Sequence, residues 1–114
     1  MLKTHRIFRG ASADLKFPLL YSGVAQPIEG WKFWFTAKLL PNDADAAALL
    51  AKTTDNGGIV AHDATNARVL IEPADTKTKA IGRYYYDIEA QSPSGRREPL
   101  EHGYLYIDPE MTSA

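Results

Sequence analysis

Cysteine is absent from the 114-residue chain, which removes a disulfide frame, a thiolate metal site and a cysteine nucleophile together. Charge of one sign is not in excess either. Thirteen Lys and Arg stand against 14 Asp and Glu, a formal net charge of −1. A balance of this kind lacks the electrostatic footprint that phosphate backbones require, so no nucleic-acid partner is expected. No apolar run approaches the ~20 residues of a membrane span, and no membrane partner is expected. The opening stretch Met1-Leu2-Lys3-Thr4-His5-Arg6 lacks the apolar core of a signal peptide. What is present is ordinary globular usage: 45% hydrophobic and 24% charged residues, enough for one folded domain over residues 1–114 and too little for two.

The dominant hydrophobic period is two. Over residues 14–21, Leu15, Phe17, Leu19 and Tyr21 alternate with Asp14, Lys16, Pro18 and Leu20, the pattern of a half-buried strand. Pro18 has no N–H for a ladder, which predicts an edge strand or a bulge. Over residues 31–40, Trp31, Phe33, Phe35, Ala37 and Leu39 share one face and are expected in the core; Lys32, Trp34, Thr36 and Lys38 share the other. Gly30 before this strand implies a tight turn or a close backbone approach. Residues 44–52 are rich in Ala and Leu, with acids at the start and a Lys at the end. Asn42 or Asp43 can cap them, so a short helix is expected there. Asp55-Asn56-Gly57-Gly58 is a turn signal. Two apolar runs over 59–62 and 67–72 flank Asp63-Ala64-Thr65-Asn66 and predict a hairpin. Alternation returns over 82–91, Ser92-Pro93-Ser94-Gly95 fits a type I turn, and Gly103-Tyr104-Leu105-Tyr106-Ile107 closes the chain. About seven short strands with one short helix predict an all-β, antiparallel two-sheet sandwich, since a parallel sheet needs a helix between most strands.

No catalytic constellation stands out. His5, His62 and His102 are isolated, without a helical i, i+4 partner, and read as surface or loop residues; no metal site and no cofactor are expected. His62 and Asp63 are neighbours that point to opposite faces if they lie on a strand. The serines sit in turns or at the ends, none in a nucleophile elbow. Asp43 with Asp45 reads as helix-terminus chemistry, and Glu98 with Glu101 as a solvated rim. Gly57-Gly58 is not followed by a phosphate-binding loop. The chain is therefore not expected to be an enzyme.

Two patterns carry more information. In Gly82-Arg83-Tyr84-Tyr85-Tyr86, Tyr84 stands where sandwiches of the immunoglobulin type place a corner tyrosine, whose hydroxyl bonds back to upstream backbone; Tyr86 is then the inward residue, with Trp31 or Phe33 as the aromatic between the sheets. The second pattern is the order of signals along the chain: Asp14-Leu15-Lys16-Phe17; Pro27-Ile28-Glu29-Gly30-Trp31-Lys32-Phe33; the apolar run from Ala67 to Glu72 followed by Pro73-Ala74-Asp75-Thr76; Gly82-Arg83-Tyr84-Tyr85-Tyr86-Asp87; and Gly103-Tyr104-Leu105-Tyr106-Ile107. This order resembles the immunoglobulin-like domains of tailed-phage and prophage structural proteins, including the N-terminal domain of baseplate upper proteins. The resemblance implies an immunoglobulin-like sandwich, a non-catalytic role in a tail, baseplate or head–tail region, protein partners that are further copies or other virion proteins, and a location in the virion or in the host cytoplasm during assembly. It carries over no catalytic or ligand residues.

The aromatic residues on outward parity are the candidate contact residues: Trp34 beside Lys32, Tyr85 on the 82–91 strand, and Tyr104 and Tyr106 on the last. Grouped on one sheet they make an interaction patch; the other reading is that the 44–52 helix folds over Trp34. A carbohydrate- or peptide-binding module uses the same kind of flat aromatics with polar neighbours and is the alternative function.

Overall fold

The computed structural model describes residues 3–21, 23–44 and 48–110. Ten strands and one helical turn follow in the order β1 (Lys3–Phe8), β2 (Ala13–Pro18), β3 (Leu20–Tyr21), β4 (Val24–Ala25), β5 (Lys32–Lys38), β6 (Leu50–Thr53), β7 (Ile59–Ala61), β8 (Asn66–Ile71), α1 (Pro73–Thr76), β9 (Gly82–Gln91) and β10 (Arg97–Asp108). One sheet has five strands in the order β1-β10-β9-β5-β6, a second has three in the order β2-β8-β7, and β3 pairs with β4 as a separate hairpin. All pairings are antiparallel except β1 with β10.

The period-two pattern sets the packing. Phe33, Phe35 and Ala37 of β5, Tyr84, Tyr86, Ile88 and Ala90 of β9, and Leu105 and Ile107 of β10 point inward from the large sheet. Leu15 and Phe17 of β2 and Ala67, Val69 and Ile71 of β8 meet them from the small one. With β2, β5, β6, β7, β8, β9 and β10 in the places of strands B, C, C′, D, E, F and G, the order is that of an immunoglobulin-like sandwich. Antibody domains join strands B and F by a disulfide packed on an aromatic of strand C. Here the same three strands supply Phe17, Tyr86 and Phe35. Phe35 stacks on Tyr86 with ring centroids 5.5 Å apart, and Phe17 lies 5.9 Å from Phe35. Aromatic area and ring geometry thus occupy the place of the covalent bond. The aromatic between the sheets is therefore Phe35; Phe33 is also buried, but Trp31 is half-exposed at the margin.

The corner tyrosine is where the sequence places it. Tyr84 Oη donates to the carbonyl of Ala80 at 2.7 Å and ties the start of β9 to the connection before it. In that connection α1 presents Thr76, fully buried, whose Oγ1 accepts from the N–H of Gly10 at 2.8 Å. The turn between β1 and β2 is thereby fixed to the turn between β8 and β9. β1 lies against β10, and three side-chain pairs tie the two together: His5 with Glu101, Arg6 with Asp108 and, just beyond the strand ends, Arg9 with Glu110, each at 3.0 Å. Gly103 is a glycine because β1 crosses it: a Cβ there meets the Lys3 carbonyl oxygen at 2.0 Å.

Several expectations change. Residues 45–47 of the expected helix lie outside the described residues, and Leu50, Ala51 and Lys52 belong to β6, paired with Ala37, Thr36 and Phe35. The Ala/Leu run is helical in composition, but Leu50 gains a core position only by extending the sheet. The short helix is instead the single turn α1, opened by Pro73. Leu39 is 58% exposed because β5 ends at Lys38 and the alternation ends with it. Pro18 closes β2, and β2 is an edge strand, as its missing N–H requires. Gly30 has a φ of +81° with Pro93 against it, so both a turn and a close approach are present.

Candidate functional site

The five contact candidates share one surface. Lys32 and Trp34 of β5, Tyr85 of β9, and Tyr104 and Tyr106 of β10 all lie on the outer face of the five-stranded sheet, opposite in parity to the buried residues of the same strands. Register brings them into rows: Tyr104 is opposite Tyr85, which is opposite Lys38, while Tyr106 is opposite Arg83 and Arg6. Tyr85 and Tyr104 touch, with centroids 5.4 Å apart.

Sequence reasoning missed the arginines. Arg6 sits over Tyr106 at 4.3 Å, Arg83 over Tyr104 at 4.6 Å and Tyr85 at 5.7 Å, and Arg97 over Trp34 at 4.4 Å. Each of these aromatic rings thus lies beneath a guanidinium that is drawn to its π face. Arg97 also donates to Glu89 at 2.6 Å, and Arg6 to Asp108 at 3.0 Å, so two of these cations are already neutralised within the face. Lys32 lies 3.6 Å from Asp55. Part of the signal was in the sequence: Arg6 and Arg83 have the outward parity of their strands, whereas Arg97 counts with the inward residues of β10 and reaches the outer face through the register shift between Pro99 and Glu101. Cross-strand register, which the sequence does not state, pairs them. Among the described residues no helix covers Trp34; what lies on its ring is Arg97.

Between β5, β9 and β10 this face dips into an open groove of about 510 Å³. Trp34 and Tyr85 give it aromatic walls, and Asp87, Glu89, Arg97 and His102 give it polar ones. Donors and acceptors are both available there. Among the described residues no cluster of three or more His, Asp and Glu side chains is placed to hold a metal ion.

No family model and no curated protein match the chain. Among solved structures it is similar to one titled as the structure of murine CRIg, at 8% identity and a TM-score of 0.41, over 94% of this chain and 92% of that one.

A second cluster is part-buried where β1 and β9 flank β10. His5 Nε2 is 3.0 Å from Glu101 Oε2, and Tyr86 Oη donates to the same oxygen at 2.5 Å. The His5 ring meets Phe17 and Tyr86 edge-on, with centroids 5.4 and 5.3 Å away. Glu101 is thus no rim residue, and His5 no surface histidine. Glu101 keeps the inward parity of Gly103, Leu105 and Ile107, and the register shift between Pro99 and Glu101 reorients only the residues before it. Burial, together with the bond to Glu101, pushes the Tyr86 hydroxyl far above the ordinary tyrosine value, and burial raises Tyr84 as well. Both therefore stay neutral hydroxyl donors. The arrangement secures β1 and β9 to β10. Glu98 pairs with Arg96 and takes no part in it. His62 and Asp63 are exposed in the β7–β8 turn, where Asp63 accepts from Thr65 and Asn66, and those bonds hold its carboxyl below the usual range.

Proposed function

We propose that this chain is a non-catalytic structural or assembly protein of a phage or prophage particle, and that it works by protein–protein contact through the outer face of its five-stranded sheet. The particle setting, with other virion proteins or further copies as partners and the virion or the host cytoplasm during assembly as the location, rests on the resemblance in the order of sequence segments along the chain. The observation that supports a contact role is the surface itself: Trp34, Tyr85, Tyr104 and Tyr106 on one face, stacked with Arg6, Arg83 and Arg97. Trp, Tyr and Arg dominate the energetics of protein interfaces, because they bury much area at little conformational cost and keep a polar tip for the partner. A guanidinium stacked on a ring is already ordered, so less freedom is lost on binding.

Co-sedimentation with particles or tail subassemblies assembled without this chain tests the reading. The chain is expected to co-sediment, and Trp34→Ala to weaken that binding at least about tenfold, as for a central aromatic anchor, with native circular dichroism. Undiminished binding by the folded mutant sinks the assigned face. The groove beside Trp34 favours a second reading, a carbohydrate- or peptide-binding module. That reading requires Trp fluorescence to shift on titration with a glycan or peptide panel, and a flat response throughout removes it.

A further inference from the structure

The two ends of the sandwich differ in a way that neither the fold nor the outer-face contact needs. At one end, where β9 begins and β1, β5 and β10 finish, lie four of the most exposed large apolar residues: Phe8, Leu39, Leu40 and Ile81. Arg83 stands beside Ile81. Its guanidinium rests on Tyr104 and Tyr85, and among the described residues it has no carboxylate partner. Among the described residues Lys77 and Lys79 at this end also lack one. The carboxylate of Asp43 there is turned onto the backbone N–H of Leu40, and Asp75 is occupied by Lys52.

The opposite end carries the reverse. Glu29 lies at the tip of the turn before β5, next to Gly30, which closely approaches Pro93 in the β9–β10 turn. It is exposed, and among the described residues it has no cationic partner. Asp63, in the neighbouring turn, is bonded to Asn66 and Thr65 but to no cation. The Ile28 N–H donates to Ala64 O, which holds these two turns together. Leu20 and Val24 of the β3–β4 hairpin, 46% and 61% exposed, supply apolar surface. Eight residues of β9 separate Arg83 from Gln91, about 27 Å of strand, so the unmatched cation and the unmatched carboxylate cannot meet within one molecule.

We infer that copies of this chain stack head to tail, with the Glu29 turn of one copy seated on the Arg83 end of the next. The charges are complementary, and each end brings apolar area. A guanidinium lying flat on tyrosine keeps its in-plane N–H donors free for a bidentate carboxylate. The size is adequate. The molecule measures 44 × 29 × 26 Å, and the twelve residues of β10 fit only along the long axis. Its end is therefore bounded by 29 × 26 Å, close to the ~800 Å² per partner of a standard interface. A contact between two different surfaces of the same chain is heterologous, so it closes into a ring or grows as a filament. This goes beyond the outer-face reading: it takes Arg83 at one end of that face and leaves Trp34 and Arg97 for another partner. A polyanion is a poorer occupant of the Arg83 end, because Asp108 and Asp87 lie on the same sheet face.

Size-exclusion chromatography with light scattering, over a wide concentration range, provides the test. Wild-type mass is expected to rise with concentration beyond a dimer. Arg83→Glu and Glu29→Arg each set like charges against one another and should require at least about tenfold more protein for the same mass. Mixed in equal amounts they regain the wild-type series, because every junction in an alternating stack again joins opposite charges. Both residues are exposed, and the rescue on mixing itself excludes misfolding as the cause. The milder pair Arg83→Gln and Glu29→Gln should weaken association without rescue. A wild-type chain that stays monomeric, swaps that associate normally, or a mixture no larger than its separate components overturns the inference. Trp34→Ala separates the two readings: if it abolishes association while the swaps do not, copies meet through the outer face and not end to end.

Discussion

Tyr84, Tyr85 and Tyr86 are consecutive residues of β9, and they occupy two different media. Tyr84 and Tyr86 turn inward, 7% and 3% exposed, and each hydroxyl has one fixed acceptor, Ala80 O and Glu101 Oε2. Tyr85 turns outward and meets Tyr104 and Arg83, with its face only partly screened from water. The same contrast divides β5, where Phe35 is fully buried and Trp34 next to it lies under Arg97. Inside, each contact has displaced water from both partners and must be replaced in kind. Outside, water remains the competing partner, so contacts are cheap to break and available to exchange. The inner face specifies the fold and the outer face is suited to recognition.

The largest effect should come from breaking the inner side. Phe35→Ala removes the ring stacked on Tyr86 and packed near Phe17, at the centre of the sandwich; a loss of about 3–5 kcal/mol is expected for a buried Phe. Trp34→Ala, one residue away and larger by volume removed, should cost less than half of that, because much of its surface stays wet. Urea unfolding of both variants checks the pair. Equal losses would mean that the outer face is part of the core, and the contrast would fail.

Alkaline pH sharpens the comparison without mutation. The neutral forms of Tyr84 and Tyr86 are favoured in the folded chain, so their folded pKa values exceed the unfolded value of about 10. Their contribution is complete below pH ~10. Above it the unfolded chain ionises first, and stability falls as pH rises, by at most about 1.4 kcal/mol per pH unit for each tyrosine. Tyr86→Phe should flatten this slope between pH 10 and 11. An unaltered slope in Tyr86→Phe would place the titrating group elsewhere.

Tyr84→Phe is smaller. It deletes one hydroxyl and leaves the Ala80 carbonyl short of a donor, at a cost of about 1 kcal/mol. Tyr85→Phe should stay within about 0.5 kcal/mol of wild type, as for a surface change that breaks no fixed bond. If the two cost the same, the corner bond is not what holds the β8–β9 connection.

Much of this contrast was legible in the sequence, because period-two alternation reports the two faces of a strand directly. Trp34 out and Phe35 in, Tyr85 out and Tyr84 with Tyr86 in, and Pro18 on an edge all follow from parity and the missing proline N–H. The corner bond of Tyr84 was legible as well, from its place at a strand start after a polar connection. What parity cannot give is which strand lies beside which. The guanidinium–aromatic pairs depend on that register: Arg97 comes from one strand and Trp34 from another, over 60 residues away. The Glu101 cluster was hidden for a different reason. Glu101 has the inward parity of Gly103, Leu105 and Ile107, but the last strand is expected only from Gly103, so the alternation stops short of it; β10 in fact begins at Arg97 and brings Glu101 to His5 and Tyr86. Residues 48–52 misled because local helical composition lost to a sheet position for Leu50.

The smallest effect tests the outer face most directly. Arg97 lies 4.4 Å from the Trp34 ring and donates to Glu89, all at a surface where both charges remain partly hydrated. An exposed cation–π pair is worth about 0.5–1 kcal/mol, and an exposed ion pair no more. A double-mutant cycle of Arg97→Gln and Trp34→Phe in the isolated chain should therefore return a coupling of about 0.5 kcal/mol, reduced in high salt as Glu89 loosens its hold on the guanidinium. Coupling of that size means that a partner must either displace Arg97 or bind the arginine and the indole as one surface. Zero coupling would mean that the arginine does not rest on the ring in solution. Trp34 would then be open on both sides, and the outer face would be a bare aromatic patch instead of an arginine-capped one.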